Sequence, residues 1–160
     1  MEEDDLYWDC FTFLVLDKIS REIRGSLNKE IAHYGITSAH AMYLIALKMH
    51  DNQTLMSLSK FLDVDPSNTF RMLKALKAHG YISDDRRNAS RKFHVFLTEE
   101  GRQATEEIQA IMDRQMESHM RGLSEEDISR FKSILVRYFA NIQDETEEKE
   151  YNQPFYCYAQ

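Results

Sequence analysis

The stretch that decides the fold is Asp65-Pro-Ser-Asn-Thr-Phe-Arg-Met-Leu-Lys-Ala-Leu-Lys-Ala-His-Gly80. Asp65 is a favourable N-cap and Pro66 suits the first helical position, because a proline there sacrifices no helical hydrogen bond. Gly80 can adopt the left-handed conformation that ends a helix. These signals predict a helix of about four turns that is bounded at both ends.

The side chains of this predicted helix divide into two faces. At helical spacing, one face gathers Thr69, Met72, Leu73 and Leu76. A second face gathers Ser67, Asn68, Arg71 and Lys74. We therefore predict that the first face packs against the protein and that the second is free to bind a partner.

The pattern changes to a period of two after Gly80. Phe93, Val95 and Leu97 alternate with Lys92, His94 and Phe96, and a period of two is typical of a strand. Residues 81–83 can pair back against this strand, with residues 84–91 as the loop between them. The sequence therefore predicts a β-hairpin with a polar tip.

Positive charge is concentrated in this part of an acidic chain. Residues 66–97 hold seven Lys/Arg and two Asp/Glu, a net charge of +5, whereas the whole chain carries −7. The tip of the hairpin carries Arg86, Arg87, Arg91 and Lys92. Bases on a capped helix and on an adjoining hairpin loop are the layout of a winged helix-turn-helix, in which such loops contact phosphates or the minor groove.

The same region resembles the MarR family of transcription regulators. Leu58-Ser-Lys-Phe-Leu62 is similar to the first helix of that family's helix-turn-helix, and Asn68-Thr-Phe-Arg-Met-Leu-Lys-Ala-Leu76 to its recognition helix. Gly80-Tyr-Ile82 is similar to the start of the wing and Leu97-Thr-Glu-Glu-Gly-Arg102 to the segment that leaves it. The resemblance covers most of residues 6–143.

The chain departs from the family pattern at two positions and in the length of the wing. Ala89 stands where the family usually has Asp, two residues before the wing arginine that Arg91 matches, and the wing is about one residue short. Phe70 stands where the family often has a small hydroxyl residue. The geometry of the wing and the base preference of the helix therefore do not carry over from the resemblance.

The predicted contacts with duplex DNA follow from the charge pattern and the resemblance together. In the major groove we expect Ser67, Asn68, Thr69, Arg71 and Lys74, with Ser67 and the helix N-terminus near phosphate and Asn68 or Arg71 near base edges. At phosphates or in the minor groove we expect Arg86, Arg87 and Arg91.

Long amphipathic helices are predicted on both sides of this region. The first runs from Leu6 to about His33 and the last follows a capping box formed by Ser124 and Asp127. Two shorter helices are predicted from about Ser38 to His50 and from Leu55 to Leu62, and another long one after Thr98. The fold class is therefore mainly α, a winged helix-turn-helix with one small β-hairpin wing embedded in an α-helical dimerisation domain.

This organisation assigns a role to each segment of the chain. Residues 6–35 and 122–145 are predicted to form the dimerisation helices, since intertwining with a second copy would bury their apolar stripes. Residues 36–98 form the winged helix-turn-helix, residues 99–121 a connecting long helix, and residues 146–160 an aromatic tail. The expected partners are a DNA operator and a second copy of the chain.

Composition limits the other classes of function. The chain has 160 residues, an acidic N-terminus and no apolar run of 18 residues, so we expect a cytoplasmic protein with no membrane partner. Its two cysteines lie far apart in the sequence, and we expect both to be free thiols. The six histidines show no metal-ligand spacing, and no phosphate-binding loop or nucleophile motif occurs. We expect no metal, no cofactor and no enzymatic activity.

Two modes of regulation and one competing function remain open. The resemblance implies that a small aromatic or amphipathic effector binds near the dimer helices and releases the repressor from DNA. Candidate pocket residues are Trp8, Phe11, Tyr34, Met42 and Tyr43. A redox alternative uses Cys10 and Cys157, although Asp9 beside Cys10 would not activate its thiol. A winged-helix protein-interaction module without DNA binding is the remaining alternative.

Overall fold

The computed structural model describes residues 3–86 and 93–144, and the side chains of residues 13–86 and 93–141. The helices are α1 (Glu3–Glu30), a short 3-10 turn (Ala32–Tyr34), α2 (Ser38–Met49), α3 (Leu55–Phe61), α4 (Pro66–Ala78), α5 (Glu99–His119) and α6 (Glu125–Asp144). The strands are β1 (Gln53–Thr54), β2 (Ile82–Asp84) and β3 (His94–Leu97). The mainly α winged-helix fold predicted from the sequence is confirmed.

Both ends of α4 form as predicted. The Asp65 side chain accepts hydrogen bonds from the backbone N–H groups of Ser67 and Asn68 and caps the helix. At the other end Gly80 has a φ of 81°, and the N–H of Tyr81 donates to the carbonyl of Leu76. That bond belongs to a Schellman motif, in which a left-handed glycine lets the chain turn sharply into the wing.

The sheet has three strands and not the two of the predicted hairpin. β2 and β3 pair antiparallel as expected, with Ile82 opposite Leu97, but β1 also pairs with the other edge of β3. The sequence predicts helices on both sides of β1, from about Ser38 to His50 and from Leu55 to Leu62, and no strand between them. Two residues are too few to show a period of two, so the sequence held no strand signal there.

The first helix ends earlier than the predicted limit near His33. α1 stops at Glu30 and a 3-10 turn follows, because Gly35 turns the chain with a φ of 70° and Asn28 Oδ1 accepts the N–H of Ser38 at the start of α2. Leu27 and Ile31 are buried in the core. Among the side chains of α1 that the structure describes, those at its C-terminal end are therefore the ones packed in the core.

The core lies between α2, α4, α5 and the inner face of β3. Leu44, Leu47, Leu76 and Ile108 are fully buried there. The backbones of α5 and of the segment after α4 approach closely at Gly101, where an added Cβ would lie 1.8 Å from the Tyr81 carbonyl oxygen. Glycine at this position is thus a packing requirement.

The last two helices begin at the caps that the sequence predicted. Thr98 Oγ1 accepts the N–H of Gly101 at the start of α5, and Ser124 and Asp127 bond reciprocally at the start of α6. The bonds from Ser124 lower the pKa of the Asp127 carboxyl. Among the residues that the structure describes, no helix has the length and apolar character needed to cross a membrane.

Candidate nucleic-acid interface

The outer face of α4 is polar and accessible. Ser67, Arg71 and Lys74 are exposed and Asn68 is half-buried. One guanidinium N–H of Arg71 donates to Asn68 Oδ1 over 3.1 Å, so these two side chains are held side by side. We call Ser67, Asn68, Arg71 and Lys74 the helix face. It offers amide, hydroxyl and cationic groups, which are the groups that recognise base edges and phosphates.

The backbone donors at the start of α4 are already satisfied. Asp65 Oδ1 accepts from the N–H groups of Ser67 and Asn68, and the Asp65 carbonyl accepts from Thr69. Pro66 has no N–H. The expectation that the helix N-terminus meets a phosphate is therefore not supported for its backbone, and the hydroxyl of Ser67 is the group left to make that contact.

Thr69 is the one predicted contact that the structure removes from the helix face. Its side chain is fully buried, and its hydroxyl lies 3.2 Å from the hydroxyl of Tyr43. Helical spacing places Thr69 with Leu73 and Leu76 on the packed side. Assigning Thr69 to the DNA-binding surface was wrong, because a side chain buried in this way cannot reach DNA.

The base of the wing is tied to both α4 and β3. Lys77 Nζ pairs with Asp84 Oδ2 at 2.9 Å, across the gap between α4 and β2. Asp85 accepts the backbone N–H of His94 at 2.6 Å and also meets the His94 ring. The backbone bond and then the ring contact lower the pKa of the Asp85 carboxyl. The start of the wing loop is therefore fixed in position.

Arg86 lies at this base and contacts two aromatic rings. Its guanidinium carbon is 3.8 Å from the centroid of Phe93 and 5.5 Å from that of Phe70. The charge pattern of the sequence indicates Arg86, but nothing in the sequence indicates Phe93 and Phe70 as its partners. The pairing depends on how α4 and β3 pack, which no local pattern encodes. Arg87 and Arg91 lie outside the described residues.

A cluster of rings joins the end of α1 to the end of α4. The Tyr81 hydroxyl donates to the Tyr34 carbonyl at 3.0 Å, and the His79 and Tyr81 rings stack 6.1 Å apart. The His79 ring also rests on Gly35, where an added Cβ would lie 2.8 Å away. Burial, and then the nearby His79, lower the pKa of His40 on α2.

The Tyr34 hydroxyl in this cluster donates to the Glu107 carboxylate of α5. Burial and this bond together raise the pKa of Tyr34 to about 12, and the bond from Tyr34 is the main cause of a lowered pKa at Glu107. Because the contact joins a neutral donor to a carboxylate, it favours the charged form of the acid and the neutral form of the phenol.

Of the predicted pocket residues, the structure describes the side chains of Tyr34, Met42 and Tyr43. Tyr43 is buried against Thr69, Tyr34 lies beside Tyr81, and Met42 is exposed. Trp8, Cys10 and Phe11 belong to α1, but their side chains are outside the described set, as is the whole of Cys157 with the aromatic tail. The effector and redox predictions therefore stay predictions.

These elements define a winged helix-turn-helix, with α3 and α4 as the helix pair and β2 and β3 as the wing. Residues 36–92 match the model of the MarR family. Many solved structures share the fold. The match covers the winged helix-turn-helix, so this part of the chain is similar to the MarR family of transcription regulators.

Three solved structures illustrate the likeness. A MarR transcriptional regulator from Methanosarcina mazei Go1 is 26% identical, with 82% of this chain and 88% of that chain covered and a TM-score of 0.75. The MarR protein from Peptoclostridium difficile has a TM-score of 0.77 at 16% identity, covering 84% and 88%. S. aureus MepR, solved as a complex with DNA, is 21% identical with a TM-score of 0.71, covering 81% and 94%. Among curated proteins no match was found.

Proposed function

We propose that this regulator binds an inverted-repeat DNA operator as a homodimer, through the helix face and the wing. The helix face is the observation that supports this proposal most directly. Asn68 and Arg71 are hydrogen-bonded to each other, and Lys74 lies one turn further along the same N-capped helix. These groups lie on a segment of net charge +5 in a chain of −7. The likeness to MepR, which was solved with DNA, supports the same use of the fold.

The two terminal helices support the homodimer. Exposed apolar side chains of α1 include Phe13, Leu14, Ile19 and Ile23. On α6 the exposed side chains include Phe131, Ile134, Leu135 and Tyr138. Apolar surface on two helices of one chain is costly in water, and a two-fold partner would bury both sets at once.

A salt titration of duplex binding tests this proposal. The probe is a duplex enriched from a random library by the wild-type protein, compared with a scrambled duplex of equal length. We expect log affinity to fall linearly with log salt concentration, and the enriched site to be an inverted repeat. Replacing Arg86, Arg87 and Arg91 by alanine should lower the slope by roughly one per lost phosphate contact.

Two results would contradict the proposal. An unchanged salt slope in the triple variant would remove the wing from the interface. Absence of any duplex binding would favour the protein-interaction module instead.

We also propose that the regulator represses its target and that a small aromatic or amphipathic ligand releases it. The resemblance to the family supports this part, together with the cluster that joins α1 to the end of α4. Gel shifts with a series of aromatic acids test it. Release by one compound, with a binding constant that Tyr34→Phe alters and Lys132→Ala does not, is the expected result.

A further inference from the structure

The guanidinium of Arg86 contacts two rings, that of Phe70 on α4 and that of Phe93, the residue just before β3. Its carbon lies 3.8 Å from the Phe93 centroid and 5.5 Å from the Phe70 centroid, both within the range of a cation–π contact. Phe93 is buried, whereas Phe70 is 41% exposed. Phe93 thus forms a fixed floor, and Phe70 reaches the same cation from the helix.

This arrangement leaves the donors of Arg86 usable. A guanidinium that stacks on a ring uses its planar face, and its N–H groups point outward in the plane. The ring contacts therefore do not compete with a phosphate for those donors. An arginine free in solvent must give up rotamer freedom when it binds, and the rings have already restricted this one.

The backbone beside Arg86 is fixed as well. The Arg86 N–H donates to Asp84 Oδ1 at 3.3 Å, and the same carboxylate binds Lys77 through its other oxygen. The Asp84 side chain is only 10% exposed. The backbone of Arg86 is therefore linked through Asp84 and Lys77 to α4, the helix that carries the helix face.

We propose that Phe70 is a positioning residue that holds Arg86 at a fixed distance from the helix face, so that the helix and the base of the wing engage the duplex in one register. Phe70 acts through Arg86 and makes no base contact of its own in this scheme. The inference rests on the proposed binding of DNA. It adds that the Phe70 ring orients the Arg86 guanidinium and that this guanidinium binds phosphate.

The test is a double-mutant cycle on Phe70→Leu and Arg86→Ala. Leucine keeps an apolar side chain on the helix and removes the ring. With the duplex enriched by the wild-type protein, Phe70→Leu should weaken binding about two- to fivefold. In the Arg86→Ala background the same change should have almost no further effect, because the group that it positions is gone.

Arg71→Ala supplies the matched control background. Arg71 neighbours Phe70 in sequence but bonds to Asn68, so Phe70→Leu should keep its full effect in Arg71→Ala protein. Equal effects of Phe70→Leu in the wild-type and Arg86→Ala backgrounds would overturn the inference, since they would show that Phe70 acts directly or through the fold. Thermal unfolding of each variant identifies any general loss of stability.

A measurement on the free protein separates this inference from the proposed function. The Arg86 Cδ protons should resonate upfield of ordinary arginine values because of the ring currents, and Phe70→Leu should move them back towards those values. Unchanged Arg86 shifts in Phe70→Leu would overturn the positioning role even if DNA binds. Failure of wild-type protein to bind any duplex would overturn both proposals, while the shifts would still report whether the contact exists.

Discussion

Arg71 is the residue from which we expect the sequence preference of the proposed interface. It is exposed on α4, and its bond to Asn68 holds the guanidinium in a defined direction. Arginine in this setting can donate two parallel hydrogen bonds to guanine, whereas lysine acts as a point charge. Discrimination between bases should therefore depend on this residue more than on Lys74.

We expect Arg71→Ala to lose about 1–3 kcal/mol of binding free energy for each specific contact and to relax the preference for the operator. Arg102→Ala is the control, because it removes one exposed positive charge from α5 that does not belong to the helix face. Competition gel shifts with the enriched and scrambled duplexes measure both quantities. If operator affinity and discrimination in Arg71→Ala equal those of Arg102→Ala, α4 does not recognise the bases.

The contact between Tyr34 and Glu107 predicts a pH dependence. The folded pKa of Glu107 is lowered, so its contribution to stability is present above the ordinary carboxyl pKa and is lost as pH falls through the lowered value. The folded pKa of Tyr34 is raised to about 12 from 10.0, so its contribution is present below pH 10 and is lost as pH rises towards 12.

In Tyr34→Phe the carboxyl pKa of Glu107 should rise towards its ordinary value, because the main donor is removed. It should not return fully, since the Gln103 amide also donates to this carboxylate. Carboxyl carbon NMR titrations of both proteins measure the change, with Asp85 as a control whose pKa should stay the same. Superimposable Glu107 titrations would show that the contact does not form in solution.

At the scale of elements, the close approach at Gly101 fixes how α5 meets the segment after α4. A methyl group there would lie 1.8 Å from the Tyr81 carbonyl oxygen, and the nearby N–H of Thr98 already donates to that same oxygen. Backbone on both sides leaves no flexible side chain to move away. The two elements can therefore keep this distance only with glycine.

Gly101→Ala should destabilise the protein by at least about 3 kcal/mol, because the backbones must separate to admit the methyl group. Gly25→Ala is the matched control: it lies within α1 with no atom within 4 Å of the added Cβ, so it should stabilise by about 0.5–1 kcal/mol. Urea unfolding at one protein concentration measures both. Equal stabilities for the two variants would contradict the observed approach.

The elements that the sequence predicted well are those with strong local signals. Asp65, Pro66 and Gly80 mark α4 because capping depends on residues within one turn of each helix end. β1 was missed because its only signal is its pairing with β3, a neighbour distant in sequence. The close approach at Gly101 and the ring contacts of Arg86 were missed for the same reason.

The candidate site divides along the same line. Helical periodicity separates Arg71 and Lys74 from Leu73 and Leu76. Thr69 is polar but lies at the spacing of the packed face, so the sequence supported both assignments for it. Its burial against Tyr43 was decided by the packing of α2 on α4. The sequence thus predicts which face of α4 is open, while tertiary contacts decide the residues at the border.

At the scale of the whole molecule, the uncovered side chains of α6 predict the state of assembly. Ile134 lies in the middle of the apolar stripe of α6 and yet is 62% exposed, which is unusual for an isoleucine. In the proposed dimer it would be buried. A charge at this position would then be desolvated without a partner, which costs several kcal/mol.

Ile134→Glu should therefore shift the protein from dimer to monomer at micromolar concentration and weaken operator binding. Ser133→Glu is the matched control, since it adds the same charge at the preceding, exposed polar position. Sedimentation velocity measures the mass and gel shifts the binding. A wild-type protein that sediments as a monomer, or an Ile134→Glu variant that stays dimeric, would exclude α6 from the interface.

The way in which α1 leaves the body of the chain has a mechanical consequence. Among its described side chains only Leu27 is buried, and with the neighbouring Ile31 it anchors the helix to the core. About 36 Å of helix extends from Leu27 back to its start. Because the helix is this long, a tilt of about 5° at the anchor displaces its far end by about 3 Å. Small changes at Gly35 and His79 would thus be amplified along α1. In a dimer held together by these helices, the separation between the two α4 helices would be set by an angle at the anchor, and a ligand would need to change only that angle to misalign them with DNA.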